Sequence, residues 1–114
     1  MKARVDYGGG VFWIDLSMTA THVAGVWWIG QRKAENPGRR AQGCPELDYL
    51  LSAWAVYHQP TGLVAAVLRG RLQAEALARK LAEVWNGPIL DDAPLETRNA
   101  VRILCQDAPG RVRP

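Results

Sequence analysis

Nucleophilic catalysis needs a serine or cysteine held beside a histidine that an acid orients. The chain offers Cys44, His58 and Asp48 for such a trio. No local motif surrounds any of them, so Cys44 reads as a small loop residue and no catalytic residue is expected. Metal ligation needs clustered donors, whereas His22, His58, Cys44 and Cys105 are dispersed, and no C-x-x-C or H-x-x-x-H occurs. Neither a metal nor a cofactor is expected. Asp91 and Asp92 precede Pro94 and read as helix capping and favourable charge at a helix N-terminus rather than as a cation site. Asp6 and Asp15 would converge only across a hairpin, and exposed strand positions explain them. Gly8-Gly9-Gly10 has the composition of a phosphate-cradling loop, but that use requires a strand running into a helix N-terminus. The glycines lead instead into Val11-Phe12-Trp13-Ile14-Asp15-Leu16, rich in β-formers, so a hairpin turn is favoured.

Binding chemistry is better represented. Five tryptophans in 114 residues is a high proportion of a residue type enriched at interface hot spots. Trp27 and Trp28 are adjacent, so within a strand they point to opposite faces of the sheet. Trp27 shares its face with Val23, Gly25 and Ile29 and is expected to point inward, which leaves Trp28 on the other face, one that is either a contact surface or covered by another element or a second copy of the chain. Trp27, Trp28 and Trp13 are therefore the candidate partner-binding residues, for another protein or a second copy of the chain. An alternative set is Arg32, Lys33, Arg39 and Arg40 in the basic segment 30–45, which would contact phosphates of a nucleic acid beside an aromatic sheet face.

The elements that must position these residues begin with RLQAEALARKLAEVWN, Arg71 to Asn86. There Ala74, Leu77, Ala78, Leu81 and Trp85 follow the spacing of one helix face, and Asn86-Gly87-Pro88 predicts a left-handed stop. Lys2 to Tyr7, Val11 to Leu16 and His22 to Ile29 read as three strands of an antiparallel meander whose apolar face covers that stripe. Gly30 to Pro45 reads as an exposed loop. A short helical turn at 45–51 is expected to hand over to a hairpin, with one strand from Trp54 to His58, a turn at Gln59-Pro60-Thr61-Gly62, and a return through Leu63 to Leu68. A last helix spans Pro94 to Gln106, with Asp92 or Ala93 at its cap. The fold class is thus α+β, a small antiparallel sheet of meander plus hairpin packed on two C-terminal helices, with one domain over 1–106 and a frayed tail over 107–114.

The stretch Trp54-Ala-Val-Tyr-His58-Gln-Pro60-Thr61-Gly62, followed by the alanine-rich helix, resembles small uncharacterised proteins of bacterial phages and mobile elements, over residues 54–86. The resemblance implies a compact accessory protein that binds and regulates a host or phage macromolecule, and it brings no catalytic residue with it.

Composition sets the remaining bounds. Apolar residues make up 48% of the chain, enough for one core. No apolar run approaches the roughly 18 residues of a membrane span, and MKARVDYGGG lacks the apolar segment of a signal peptide. A cytoplasmic protein with free thiols is the expectation. A net charge of +3 permits nucleic-acid contact without requiring it. The reading reached from sequence is a non-catalytic protein-binding module, with nucleic-acid binding as its alternative and no membrane contact.

Overall fold

Gly8 and Gly9 sit at φ +59° and +80°, the two left-handed positions that a type I′ turn demands and that glycine takes without strain. They join β1 (Lys2–Tyr7) to β2 (Gly10–Asp15) in the computed structural model, which describes residues 1–112. Pairing Ala3 with Ile14 and Val5 with Phe12 puts an apolar face on one side of this hairpin. Arg4 opposite Trp13 and Lys2 opposite Asp15 stand on the other.

The second sheet has four antiparallel strands in the order β3-β4-β5-β6, with β3 at Thr21–Ala24, β4 at Trp27–Gln31, β5 at Trp54–His58 and β6 at Leu63–Leu68. The hairpin of β5 and β6 lies where its turn residues place it. The expected meander differs in two ways. The single strand from His22 to Ile29 is broken into β3 and β4 by a turn at Gly25, which takes φ +55°. In addition, β2 does not pair with β3, so the first hairpin forms a separate two-stranded sheet.

Segment 30–45 is not the open loop its composition predicts. Its backbone winds through a 3-10 turn at Arg32–Glu35 into α1 (Asn36–Ala41), with Pro37 in the first turn, where a missing N–H costs nothing. The helical turn expected at 45–51 does not form. Asn36 explains why: its side-chain amide donates to the Leu47 carbonyl at 3.0 Å and accepts the Leu47 N–H at 2.7 Å. Both main-chain groups that a helix would use at that residue are taken.

The helix α2 (Arg71–Val84) buries Ala74, Leu77, Ala78 and Leu81 against Trp27, Ile29, Val56 and Leu68 of the sheet. Each large side chain so removed from water contributes roughly 1.5–3 kcal/mol. Beside it lies α3 (Leu95–Gln106), which buries Val101 and Cys105. The left-handed stop expected at Gly87 is absent. The chain leaves α2 at Trp85 with φ −157° and ψ 131°, and Gly87 is not among the positive-φ residues. Asn86 instead clamps the helix end, donating to the Ala82 carbonyl at 2.5 Å and accepting the Val26 N–H at 3.3 Å. Gly87 is needed for room, because a Cβ there would run into the Trp85 indole. Gly87→Val should therefore lower the melting temperature by several degrees, and Gly87→Ala should do nearly as much. Under the left-handed stop alone, a Gly87→Asn variant would be well tolerated, whereas crowding against Trp85 makes it as harmful as Gly87→Ala; melting curves of the three separate the two accounts.

The other face of the four-stranded sheet is also covered. Ala55 and Tyr57 point into a second apolar cluster with Ala3, Val5, Ile14, Leu16 and Cys44, contributed by the first hairpin and the end of the α1 segment. The hairpin is tied to the sheet by a main-chain bond from the Arg4 N–H to the Gly62 carbonyl at 2.8 Å, while a bond from the Leu16 N–H to the Met1 carbonyl at 2.9 Å extends the pairing within the hairpin itself. Gly62 permits the close approach: at φ +69° its Cβ would lie 2.7 Å from the Trp13 ring and 2.8 Å from the Arg4 nitrogen. Three layers result, two helices on a four-stranded sheet on a hairpin with a short helix.

The tail expected to fray from 107 is docked over its described part. Arg111 bridges to Leu68, Val112 N–H donates to the Val67 carbonyl at 2.9 Å, and Arg69 N–H to that of Gly110 at 2.9 Å. Residues 113 and 114 lie outside the described residues. No helix among those described is long and apolar enough to cross a membrane.

Candidate functional site

In a strand order of β3-β4-β5-β6, β6 is an outer strand, and its own tail pairs with it only at the Val67–Arg69 end. Among the described residues, nothing pairs with the outer edge of Leu63–Ala66. Main-chain groups on such an edge are a template for another strand. A trough runs alongside it in two compartments that share Ala65, Leu90, Asp91 and Val101.

The first compartment, about 300 Å³, is floored by Trp27 and His58 and walled by Leu63, Val64 and Ile89. Leu63, Val64 and Ile89 are 44%, 37% and 49% exposed, an apolar strip without cover. Its polar groups are fixed. His58 Nε2 lies 2.9 Å from the Gly87 carbonyl, an acceptor only, so this nitrogen carries the hydrogen; Nδ1, at 2.7 Å from Thr61 Oγ1, then accepts the threonine hydroxyl in the neutral ring. A hydroxyl hydrogen-bonded to an oriented imidazole is the outline of an activated nucleophile. Here both ring nitrogens are taken by Thr61 and Gly87 and, among the described residues, no carboxylate bonds to either, so the pair ties the 59–62 turn to the chain after α2.

The second compartment, about 520 Å³, is lined by Arg98, Arg102 and Arg111 together with Leu95 and Cys105. Arg102 Nη2 donates to Asn99 Oδ1 at 3.3 Å and Arg111 Nη1 to the Cys105 carbonyl at 2.5 Å. Arg98 Nε is buried without a hydrogen-bond partner among the described residues. Burial pushes the Cys105 thiol up, against a smaller lowering by the Arg111 charge, which disfavours its reactive thiolate.

The residues singled out from sequence scatter. Trp27 is 2% exposed, its indole N–H donating to the Trp85 carbonyl at 2.8 Å and its ring 5.1 Å from that of His58. It is a core residue and the floor of the trough, not a contact surface. Trp28 does point to the opposite face, but that face is occupied: its ring lies 5.3 Å from that of His22, tilted by 58°, and packs on the second cluster. The open aromatic sheet face does not exist, because the first hairpin lies on it. Trp13 alone of the three is offered to solvent, at 44% exposure on the outer side of that hairpin.

The basic set is largely spent within the chain. Arg32 Nη1 lies 2.7 Å and Arg39 Nη2 3.1 Å from the carboxylate of Glu35, which is 2% exposed and also accepts the Tyr57 hydroxyl at 2.7 Å. Arg40 pairs with Glu46 at 2.5 Å. Of the four, only Lys33 is exposed and makes no ion pair among the described residues, so a phosphate-binding arm loses most of its charge.

Nor does the catalytic trio assemble. Cys44 lies in the cluster under the first hairpin and His58 on the helix-covered face. The described residues contain no group of three or more metal-ligating side chains. Asp6 and Asp15 stand at opposite ends of the first hairpin, opposite Val11 and Lys2. Asp91 and Asp92 form a 3-10 turn with Leu90, and α3 has no side-chain cap. The trough itself was not read from sequence. Its one legible sign is Arg98 and Arg102 on a single helix face at i, i+4 with no acid to pair them.

Comparison of the chain with protein-family models, with curated proteins and with solved structures returns no match.

Proposed function

We propose that this protein is a non-catalytic binding module that acts in the cytoplasm by taking an extended segment of a partner protein as an added strand along β6. The observation that carries this reading is the outer edge of Leu63–Ala66, unpaired among the described residues and bordered by exposed Leu63, Val64 and Ile89. Main-chain hydrogen bonds to such an edge supply affinity without regard to sequence, and pockets beside it supply selectivity. Relative to the sequence reading, the class is kept and the surface moves from the tryptophan face to the sheet edge. We extend the proposal to the role read from residues 54–86 of the sequence, that of a phage or mobile-element accessory protein which regulates a larger assembly by contact.

Selection from a display library of unconstrained random peptides tests it. Selected peptides should shift the amide resonances of Leu63 to Ala66 and of Leu90, and a Leu63→Lys/Val64→Lys double variant that melts like the parent should lose them. Binders that map to the Trp13 face and ignore the double variant would remove the edge as the site.

A further inference from the structure

We infer that the segment taken up along β6 carries an aspartate or glutamate side chain, read by Arg98, Arg102 and Arg111. The inference rests on the edge-binding reading above and names the partner's chemistry. Three guanidinium groups line the second compartment against one carboxylate, Asp91. None of the three makes an ion pair among the described residues, a condition they share with Arg69 and Arg79, whereas Arg4, Arg32, Arg39, Arg40 and Arg71 all do. A buried guanidinium N–H without an acceptor, as at Arg98 Nε, is costly, and an incoming carboxylate supplies the acceptor with the planar geometry a guanidinium prefers.

The order of the two compartments sets a pattern. The first, apolar, adjoins Leu63 and Val64; the second, cationic, reaches Arg111 beside Leu68; and Ala65 belongs to both. Ala65 is the bulged residue of β6, between Val64 paired with Tyr57 and Ala66 paired with Val56; on either side of it a strand laid along this edge presents alternate side chains to the same side at about 6.6–6.8 Å spacing. An aliphatic residue and an acidic residue two positions apart would therefore fill the two compartments together. Asp91, between them, repels an acid placed in the apolar compartment and so favours one orientation of the segment.

Two acetylated and amidated eight-residue β-forming peptides test this, identical except for Glu or Gln two positions from a leucine, so that no terminal carboxylate contributes. Fluorescence anisotropy at low salt should show the Glu peptide binding at least tenfold tighter, with the advantage falling several-fold at 0.5 M salt as screening sets in. Arg98→Gln and Arg102→Gln should each bring the Glu peptide down toward the Gln peptide while leaving the Gln peptide unchanged. Equal binding of the two peptides would overturn the carboxylate assignment and leave the edge reading standing. Binding of neither, in a protein whose melting is normal, would overturn both.

Discussion

Glu35→Ala is expected to cost about 3–5 kcal/mol, the range for removing one partner of a buried ion pair. The carboxylate is almost wholly enclosed, and it alone balances Arg32 and Arg39, whose side chains are only 16% and 15% exposed. It is also the acceptor for the fully buried Tyr57 hydroxyl. Its loss leaves two half-buried cations and a buried donor uncompensated, in a domain with only about 5–15 kcal/mol to lose. A melting temperature more than about 10 °C below the parent is the expected result. Arg40→Ala, which breaks an exposed pair, should change stability by under about 1 kcal/mol. A Glu35→Ala protein that melts within two degrees of the parent would show that the cluster contributes nothing. The same cluster gives a pH signature. Burial first, then the Glu35 charge and the hydrogen bond to it, push the Tyr57 phenol well above its ordinary value. The folded state thus holds a proton that the unfolded chain releases above about pH 10, so this group's stabilisation is complete below that pH and declines above it by about 1.4 kcal/mol per unit. Tyr57→Phe should remove that alkaline decline from the stability profile.

Trp27→Ala is expected to cost about 3–5 kcal/mol, as large aromatic truncations in a core do. It would open a cavity between β4 and α2 and delete the indole bond to the Trp85 carbonyl. Trp28→Ala should also destabilise, by about 1–3 kcal/mol in proportion to its partial burial. An open second face would have left Trp28→Ala nearly silent in folding. Chemical denaturation of both variants separates the cases: an unchanged midpoint for Trp28→Ala would mean that the first hairpin does not cover it. Neither variant should change the self-association of the protein, since neither ring is a free surface.

What could be read from sequence was what neighbouring residues decide among themselves. The α2 stripe carries strong periodicity and stands within a residue or two of the reading, and the 54–68 hairpin lies where its turn residues put it, although Leu47, Leu50, Leu51 and Trp54 fit a helix as well. The misread stretches are settled by distant partners. Asn86, sixty residues from Val26, fixes the end of α2, and Asn36 holds Leu47 extended. Glu35 is a lone acid in a basic run, and its meaning depends on Tyr57, 22 positions later. The trough is less legible still, because an unpaired strand edge is a property of the assembled sheet, and no residue in LVAAVL announces it.

The first hairpin closes the sheet from the chain's beginning, yet its anchor, the Gly62 carbonyl, comes far later in the sequence. A two-stranded ribbon has little stability of its own. On a ribosome adding about 5–20 residues per second, Ala3, Val5, Ile14 and Leu16 wait several seconds for the surface they will cover. The ribbon thus cannot settle on the sheet until Gly62 is in place. During that interval the newborn chain shows its apolar ribbon to chaperones.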